Sequence, residues 1–360
     1  MGRIRKSSMA HLSCCLVAVL GISGCGGGGG GGGHHPPAPT LESGLFKACQ
    51  FQVEQVGPVW ESNSLMFGCN MDGIDAVGID LDLDGVYADD SINYECRPDG
   101  TIGIGDEDEG VYSQDGELVA VTEAVSTGHM DMVVSVREGS GMSVANFTGP
   151  YLVTSFAFNG ATGVAHTYAM VAGQTGEGLG LFSVLKSSDP AAVGVTSPFA
   201  FTVEDDGAFA IVDSGDRGGL KSDGSMFVTA DTNDTNDIDS IMFGIRTGSG
   251  LDSRILRGEY MLNMVGQHTV TKALWTARIL ATFDGVGVAR YEFLAHPTDG
   301  GLTGYLAYSV NDPGFLIIMV LPTGPMEFGI VSADGETFSV IDANPSDDDI
   351  YALIGIKRPE

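Results

Sequence analysis

The chain has 360 residues, of which 47 are acidic and 17 basic, giving a formal net charge of −30 at pH 7. A field of that sign repels phosphate backbones and anionic lipid, which excludes nucleic acid and phosphate-rich substrates. Hydrophobic residues make up 43% of the chain, enough for packed cores, so a disordered acidic tail is excluded as well.

Arg3, Arg5 and Lys6 open the chain, an apolar run covers residues 12–22, and Ile22-Ser23-Gly24-Cys25 ends it. A basic start, a short apolar stretch and small residues before a cut make a secretory leader. The run is about half of the ~20 residues that a spanning helix requires. Ile22-Ser23-Gly24-Cys25 resembles the lipobox of bacterial lipoproteins. That resemblance implies that residues 1–24 are removed and that Cys25 carries lipid. With Gly26 rather than Asp after the cysteine, it also implies sorting to the outer membrane, on its periplasmic or its surface side. Several acyl chains on one residue would anchor the protein effectively permanently. Loss of the leader's three bases leaves 14 basic against 47 acidic residues.

Residues 25–42 hold eight consecutive glycines, then His34, His35, Pro36 and Pro37. A glycine run has no side chain to bury and resists any fixed backbone, so this stretch reads as a tether. The histidine pair reads as part of the same spacer.

Beyond Cys14, Cys15 and Cys25, three cysteines remain, at 49, 69 and 96. Export permits a disulfide. Cys49 and Cys69 lie almost symmetrically about Gly57-Pro58, so an antiparallel hairpin turning there predicts a Cys49–Cys69 bridge with Cys96 outside it.

From residue 43 onward the chain repeats three times with a period of about 105 to 111 residues, long enough for each copy to be a domain. The copies are predicted at 43–145, 146–254 and 255–360. Each opens on a glycine and a bulky residue: Gly44-Leu45-Phe46, Gly149-Pro150-Tyr151 and Gly258-Glu259-Tyr260. Turns follow at Asp99-Gly100, Asp206-Gly207 and Pro313-Gly314. Next come the segments starting at Gly110, Gly219 and Gly329, each closing on an Asp-Gly pair at Gly116, Gly224 and Gly335. An apolar strand ending in Arg137, Arg246 or Lys357-Arg358 completes each copy.

In the third copy, alternating or apolar runs predict strands at 260–265, 274–283, 288–295, 305–310, 315–321, 326–332, 337–342 and 350–357. Asp-Gly, Pro-Gly and Asn-Pro pairs between them supply tight turns, and no window carries a capped helical stripe. The fold class expected is all-β, with three antiparallel meanders of about eight strands each. Closing such a sheet into a barrel removes its exposed edges. A six-bladed propeller and β-sandwiches are the alternatives. The likeness to small up-and-down barrels is one of outline only.

Asp80, Asp82 and Asp84, followed by Gly85, match the start of a calcium loop, in which hard oxygen donors converge on one cation. Ser91 stands where a bidentate Glu would close that loop, and Leu81 and Leu83 suit a strand with aspartates on its wet face. Acidic hairpins recur at 231–239 and 342–349 and read as Asn/Asp turn chemistry. The run 106–109 reads as a solvated loop, and Trp60 and Trp275 as core anchors. His129, His166, His268 and His296 stand alone in sequence, and no nucleophile elbow, zinc helix or phosphate loop is present. The expectation is no enzyme and no cofactor, calcium being the one candidate. The chain reads as a lipid-anchored binding module for a protein, glycan or small-molecule partner, with an apolar-ligand carrier and a calcium-binding surface protein as alternatives.

Overall fold

The computed structural model describes residues 43–359 apart from 58, 72–75, 81–91, 98, 105–107, 124–127, 213, 234–236, 297–299, 322–325, 343 and 345–347. Twenty-four strands form three closed antiparallel barrels of eight, each a meander in which the last strand pairs with the first.

Barrel 1 contains β1 (Gly44–Val56), β2 (Val59–Met71), β3 (Ala76–Asp80), β4 (Ile92–Cys96), β5 (Thr101–Ile104), β6 (Asp108–Tyr112), β7 (Leu118–Thr122) and β8 (His129–Arg137). Barrel 2 contains β9 (Pro150–Asn159), β10 (Val164–Gly176), β11 (Leu179–Ser187), β12 (Thr196–Val203), β13 (Ala208–Ile211), β14 (Asp216–Leu220), β15 (Met226–Asp231) and β16 (Ile238–Arg246). Barrel 3 contains β17 (Arg257–His268), β18 (Leu274–Asp284), β19 (Val288–Ala295), β20 (Thr303–Asn311), β21 (Phe315–Val320), β22 (Met326–Val331), β23 (Thr337–Ile341) and β24 (Asp349–Lys357).

The repeated sequence landmarks turn out to be the joints of the barrel. The aromatic near the start of each first strand, Phe46, Tyr151 or Tyr260, is fully buried. Tyr151 donates its hydroxyl to the carbonyl of Gly224 at 2.5 Å, and Tyr260 donates to that of Gly335 at 2.6 Å. The first of these ties the β9 aromatic to the β14–β15 turn, and the second ties β17 to the β22–β23 turn. Gly116, Gly224 and Gly335 hold φ of 68°, 68° and 74° there, a conformation that any Cβ penalises. The mid-repeat glycines 100, 207 and 314 accept from the backbone N–H of Tyr112, Leu220 and Val331 at 2.8–3.0 Å.

A second recurring glycine sits inside the sixth strand. A Cβ on Gly110 would lie 2.0 Å from the carbonyl oxygen of Ala120, one on Gly218 would lie 1.8 Å from that of Val228, and one on Gly329 would lie 2.5 Å from that of Ser339. Strands six and seven approach so closely in every copy that only glycine fits. The structural counterpart of Gly110 and Gly329 is therefore Gly218, one residue before the Gly219 at which the sequence pattern begins.

Each barrel has its own interior, and the three share an outer core. The interiors are built around Phe46, Phe67 and Tyr112, around Phe147, Tyr151 and Phe227, and around Tyr260, Phe283 and Phe338. The shared core draws on the outward faces of the first, seventh and eighth strands of all three, including Phe51, Val134, Phe156, Phe243, Val265 and Ile354. Those strands are apolar on both faces because both are covered.

The polar contacts across this core form a cycle. Ser64 on β2 donates to the carbonyl of Asp231 at 2.6 Å, Thr167 on β10 donates to that of Asp342, and Thr276 on β18 donates to that of Glu123 at 3.2 Å. A second cycle joins first strands to seventh strands: Cys49 with the carbonyl of Val228, Thr154 with Ser339, and Asn263 with the carbonyl of Ala120. In both, barrel 1 engages barrel 2, barrel 2 engages barrel 3, and barrel 3 returns to barrel 1. The arrangement is a closed pseudo-threefold ring.

Candidate functional site

Alternation along a strand decides what each barrel shows to solvent. In barrel 3 the interior side of β19–β21 is taken by Ala289, Leu306, Tyr308, Leu316 and Ile318. The other side of those strands points away from the ring, where polar residues would be expected. It carries instead a row running straight across four strands: Val288 opposite Ala307, Ala307 opposite Met319, and Met319 opposite Met326. Tyr305 and Leu321 flank the row, linked by a 3.0 Å bond from the Leu321 N–H to the Tyr305 carbonyl. Exposure is 71% at Met326, 58% at Tyr305 and 42% at Val288.

Barrel 2 repeats the feature on the equivalent strands. Leu179 faces Ala200 and Leu181 faces Pro198 across β11 and β12, and the N–H of Val212 bonds the Ala200 carbonyl. Leu179, Leu181 and Val212 are all exposed. Single exposed apolar side chains are ordinary, but contiguous patches on sheet faces mark contact surfaces.

Charge around these faces follows from where the bases are. Lys47 pairs with Asp206 at 2.7 Å, Lys221 with Asp115 at 2.6 Å, Arg278 with Glu109 at 2.5 Å and Arg358 with Asp99 at 2.5 Å, every pair bridging two barrels. Four bases are thus held at the seams of a chain of net charge −30, while on the outer face of barrel 3 Arg290 stands opposite Tyr305 and lies 3.8 Å from Glu292.

The barrel interiors offer no chamber beneath the aromatic halves. In barrel 2, Phe147 stacks on Tyr151 at 4.3 Å between centroids and meets Phe201, Phe209 and Phe227 at 4.8–5.6 Å. In barrel 3, Phe283 contacts Tyr260, Tyr308 and Phe338 at 5.0–5.5 Å. A depression of about 440 Å³ lined by Val144, Ala145, Thr148, Gln174 and Glu177 lies open on the surface at one end of barrel 2.

The residues singled out from the sequence fall in different places. Cys25 and its tether lie outside the described residues, as do Asp82 and Asp84; Asp80 is the last residue of β3, opposite Gly68. Among the described residues, no three His, Cys, Asp or Glu side chains converge as a metal cage requires. The Cys49–Cys69 bridge is corrected. The β1–β2 register puts Cys49 opposite Met66 and Cys69 opposite Phe46, so the two cysteines are on opposite faces of the sheet. Cys49 enters the shared core, Cys69 enters the interior of barrel 1, and both remain thiols. Burial pushes the Cys69 thiol up to about 12 and that of Cys49 higher still.

The acidic hairpins behave as turns at their starts: Asp231 accepts from the N–H of Asn233 at 2.8 Å and Asp342 from that of Asn344 at 2.7 Å. Asp239 points between barrels and accepts from Ser62 and Ser64. Glu109 is not solvated alone but bonded to Arg97 and Arg278. Trp60 packs against the shared core, edge-on to Phe158 at 5.6 Å, and Trp275 packs on the interior cluster of barrel 3. The outward apolar faces escaped sequence reading, because an apolar run gives no sign of which side will be covered.

No protein-family model matches the chain, and no curated protein matches it in sequence. Among solved structures, it is similar to transferrin binding protein B from Haemophilus parasuis Hp5, crystallised as a double mutant, at 7% identity and a TM-score of 0.27 over 89% of this chain and 78% of that one. It is also similar to the isotype 1 transferrin binding protein B from serogroup B Neisseria meningitidis, at 10% identity and a TM-score of 0.29 over 89% and 77%. Likenesses at these scores carry no argument about function.

Proposed function

We propose that the chain is an exported lipoprotein, held at the outer membrane through Cys25, whose three-barrel body is a binding module and not a catalyst. The observation that carries this reading is the pair of contiguous apolar faces on the outer sheets of barrels 2 and 3, above interiors whose apolar portions are packed with aromatic rings. Ring packing where the interior is apolar disfavours the carrier alternative, since a lined apolar cavity is what such a ligand needs.

The kind of partner follows from charge. A chain of net −30 repels a second copy of itself and steers a cationic protein toward its surface, with an on-rate that falls as salt rises. Burying what remains exposed of Val288, Tyr305, Leu321 and Met326 would contribute about 1 kcal/mol each. Association itself costs on the order of 4–15 kcal/mol, so one face alone binds weakly. Two faces on one rigid body add through effective concentration, and the tether lets that body reach its partner while the anchor stays fixed.

Photo-crosslinking in intact cells tests the reading, with the crosslinker at Tyr305 and, as the control, at exposed Arg254, which lies outside the face. A discrete adduct at Tyr305, lost when Val288→Glu and Met326→Glu are added, is the expected result. Equal adducts at both positions, or none, would refute the binding face. The anchor is tested separately: Cys25→Ala should move the protein from the membrane fraction to the soluble one, and retention after a high-salt wash would refute lipid anchoring.

A further inference from the structure

Barrel 2 is packed with rings along only part of its length. Beyond them, two neighbouring rows of inward-facing residues are largely polar. In the first row Tyr168 on β10 stands opposite Ser155 on β9, Ser155 opposite Met242 on β16, Met242 opposite Thr229 on β15, and Thr229 opposite Gly218 on β14. In the second, His166 stands opposite Ala157, Ala157 opposite Ser240, and Asp231 on β15 opposite Asp216 on β14. These positions share the parity of Phe227, Leu220 and Tyr151, which line the interior, so all of them face inward.

Three of these side chains are out of keeping with an inert interior. Asp216 and Asp231 are 6% and 8% exposed and sit directly across a strand pair. The groups acting on Asp216 are burial, the Ser214 hydroxyl, its own backbone N–H and the like charge of Asp231, with no base among them, and its carboxyl is pushed up to about 6. Thr229 is wholly buried, and its hydroxyl has no hydrogen-bond partner. It projects from β15 two residues from Asp231 on the same face. Opposite it stands Gly218, where β14 and β15 run so close that the threonine faces no side chain across the pair. Buried polar groups without partners are rare in folded proteins and call for a reason.

We propose that this part of barrel 2 is a calcium site, with Asp216 and Asp231 as carboxylate ligands and the Thr229 hydroxyl as a third oxygen donor. Carboxylate and hydroxyl oxygens are hard donors, which select calcium or magnesium over transition metals. Two carboxylates on adjacent strands plus a hydroxyl do not impose the near-ideal octahedron that magnesium demands, whereas calcium accepts an irregular shell completed by water. The cation neutralises the carboxylate pair and gives the threonine oxygen a partner. With so few charged ligands, affinity belongs in the ~0.1–1 mM range of extracellular calcium modules. The site is independent of the outward apolar faces and of the binding reading that rests on them.

Calorimetric titration of calcium and of magnesium into the full-length protein at 150 mM KCl, paired with melting curves, tests the proposal. The expected result is one calcium per chain and a melting midpoint raised by roughly 5 °C at a hundredfold excess over Kd, with magnesium giving far less. Asp216→Asn removes a like-charge repulsion and so leaves the protein folded, yet it should abolish the calcium response. Asp239→Asn, on the other face of the sheet between barrels 1 and 2, should leave that response intact. A wild-type protein with no calcium-specific heat or shift would overturn the assignment, as would an Asp216→Asn variant that responds like wild type.

Discussion

His129 in barrel 1 contacts a Glu123 carboxylate oxygen through Nδ1, and its Nε2 lies 2.9 Å from the terminal amide of Gln52, which accepts from an imidazolium only when its oxygen is turned toward the ring. Burial, the largest influence, pulls the imidazolium down, but the Glu123 hydrogen bond and the charges of Glu123, Asp131 and Glu54 together raise it above its ordinary value. Folding therefore takes up a proton here. The pair's stabilisation is complete below the ordinary imidazole value near ~6.5 and is lost as pH climbs through the raised one. In melting curves against pH, the gap between wild type and His129→Gln should be widest at about pH 5.5 and should narrow by about pH 9. A gap that widened with pH would mean the pair is not ionic. Glu123 also offers its carbonyl to Thr276 of barrel 3, so this residue bears on the seam as well as on its own barrel.

Among the elements, the sixth strands are the least forgiving. Their glycines let strand seven approach within a distance that a methyl group would violate, and the obstacle is a backbone carbonyl that cannot rotate away. Gly110→Ala and Gly218→Ala should each destabilise by more than about 2 kcal/mol, and Gly329→Ala by less, following the gaps of 2.0, 1.8 and 2.5 Å. Gly173→Ala in β10 meets nothing within 4 Å and should be neutral or slightly stabilising. Denaturant midpoints order the four, and equal losses at all of them would point to propensity instead of the close approach. Strand positions themselves were legible: the run 274–283 became Leu274–Asp284 and the run 315–321 became Phe315–Val320, because Asp-Gly and Pro-Gly turns punctuate them. Facing was not legible. Antiparallel pairing about Gly57-Pro58 puts residue 66, not 69, opposite Cys49, and an odd offset of three moves a side chain to the other face. The paired acids of barrel 2 were equally hidden. Asp216 and Asp231 are 15 positions apart in sequence, and only the register of β14 against β15 brings them together.

For the whole molecule, the shared core decides how it unfolds. Phe51, Phe156, Val265 and Ile354 come from three barrels and pack in one cluster, so melting any one barrel would strip apolar cover from the other two. Calorimetry should show one cooperative transition for residues 43–360, with van't Hoff and calorimetric enthalpies in agreement. Three resolved transitions would mean that the seams contribute little. A piece cut to the third copy alone would bare Met261, Val265, Ile354 and Ile356 and should self-associate. The period in the sequence announced three copies, but nothing in one copy's pattern announced that its outer wall belongs to its neighbours.

The cyclic order of the seams also fixes the number of copies. Each barrel offers a donor surface on its second strand and an acceptor surface after its seventh, and the two differ, so every contact runs head to tail. Head-to-tail contacts either close into a ring or continue into a filament, depending on the rotation per step. Here three steps return to the start and leave no surface unsatisfied. Duplication of the gene segment could thus lengthen this body up to three units and no further. A two-unit ancestor would have carried one bare donor row and one bare acceptor row and could have closed its ring only by recruiting a barrel from another chain. Covalent linkage of all three copies makes assembly of the ring independent of protein concentration.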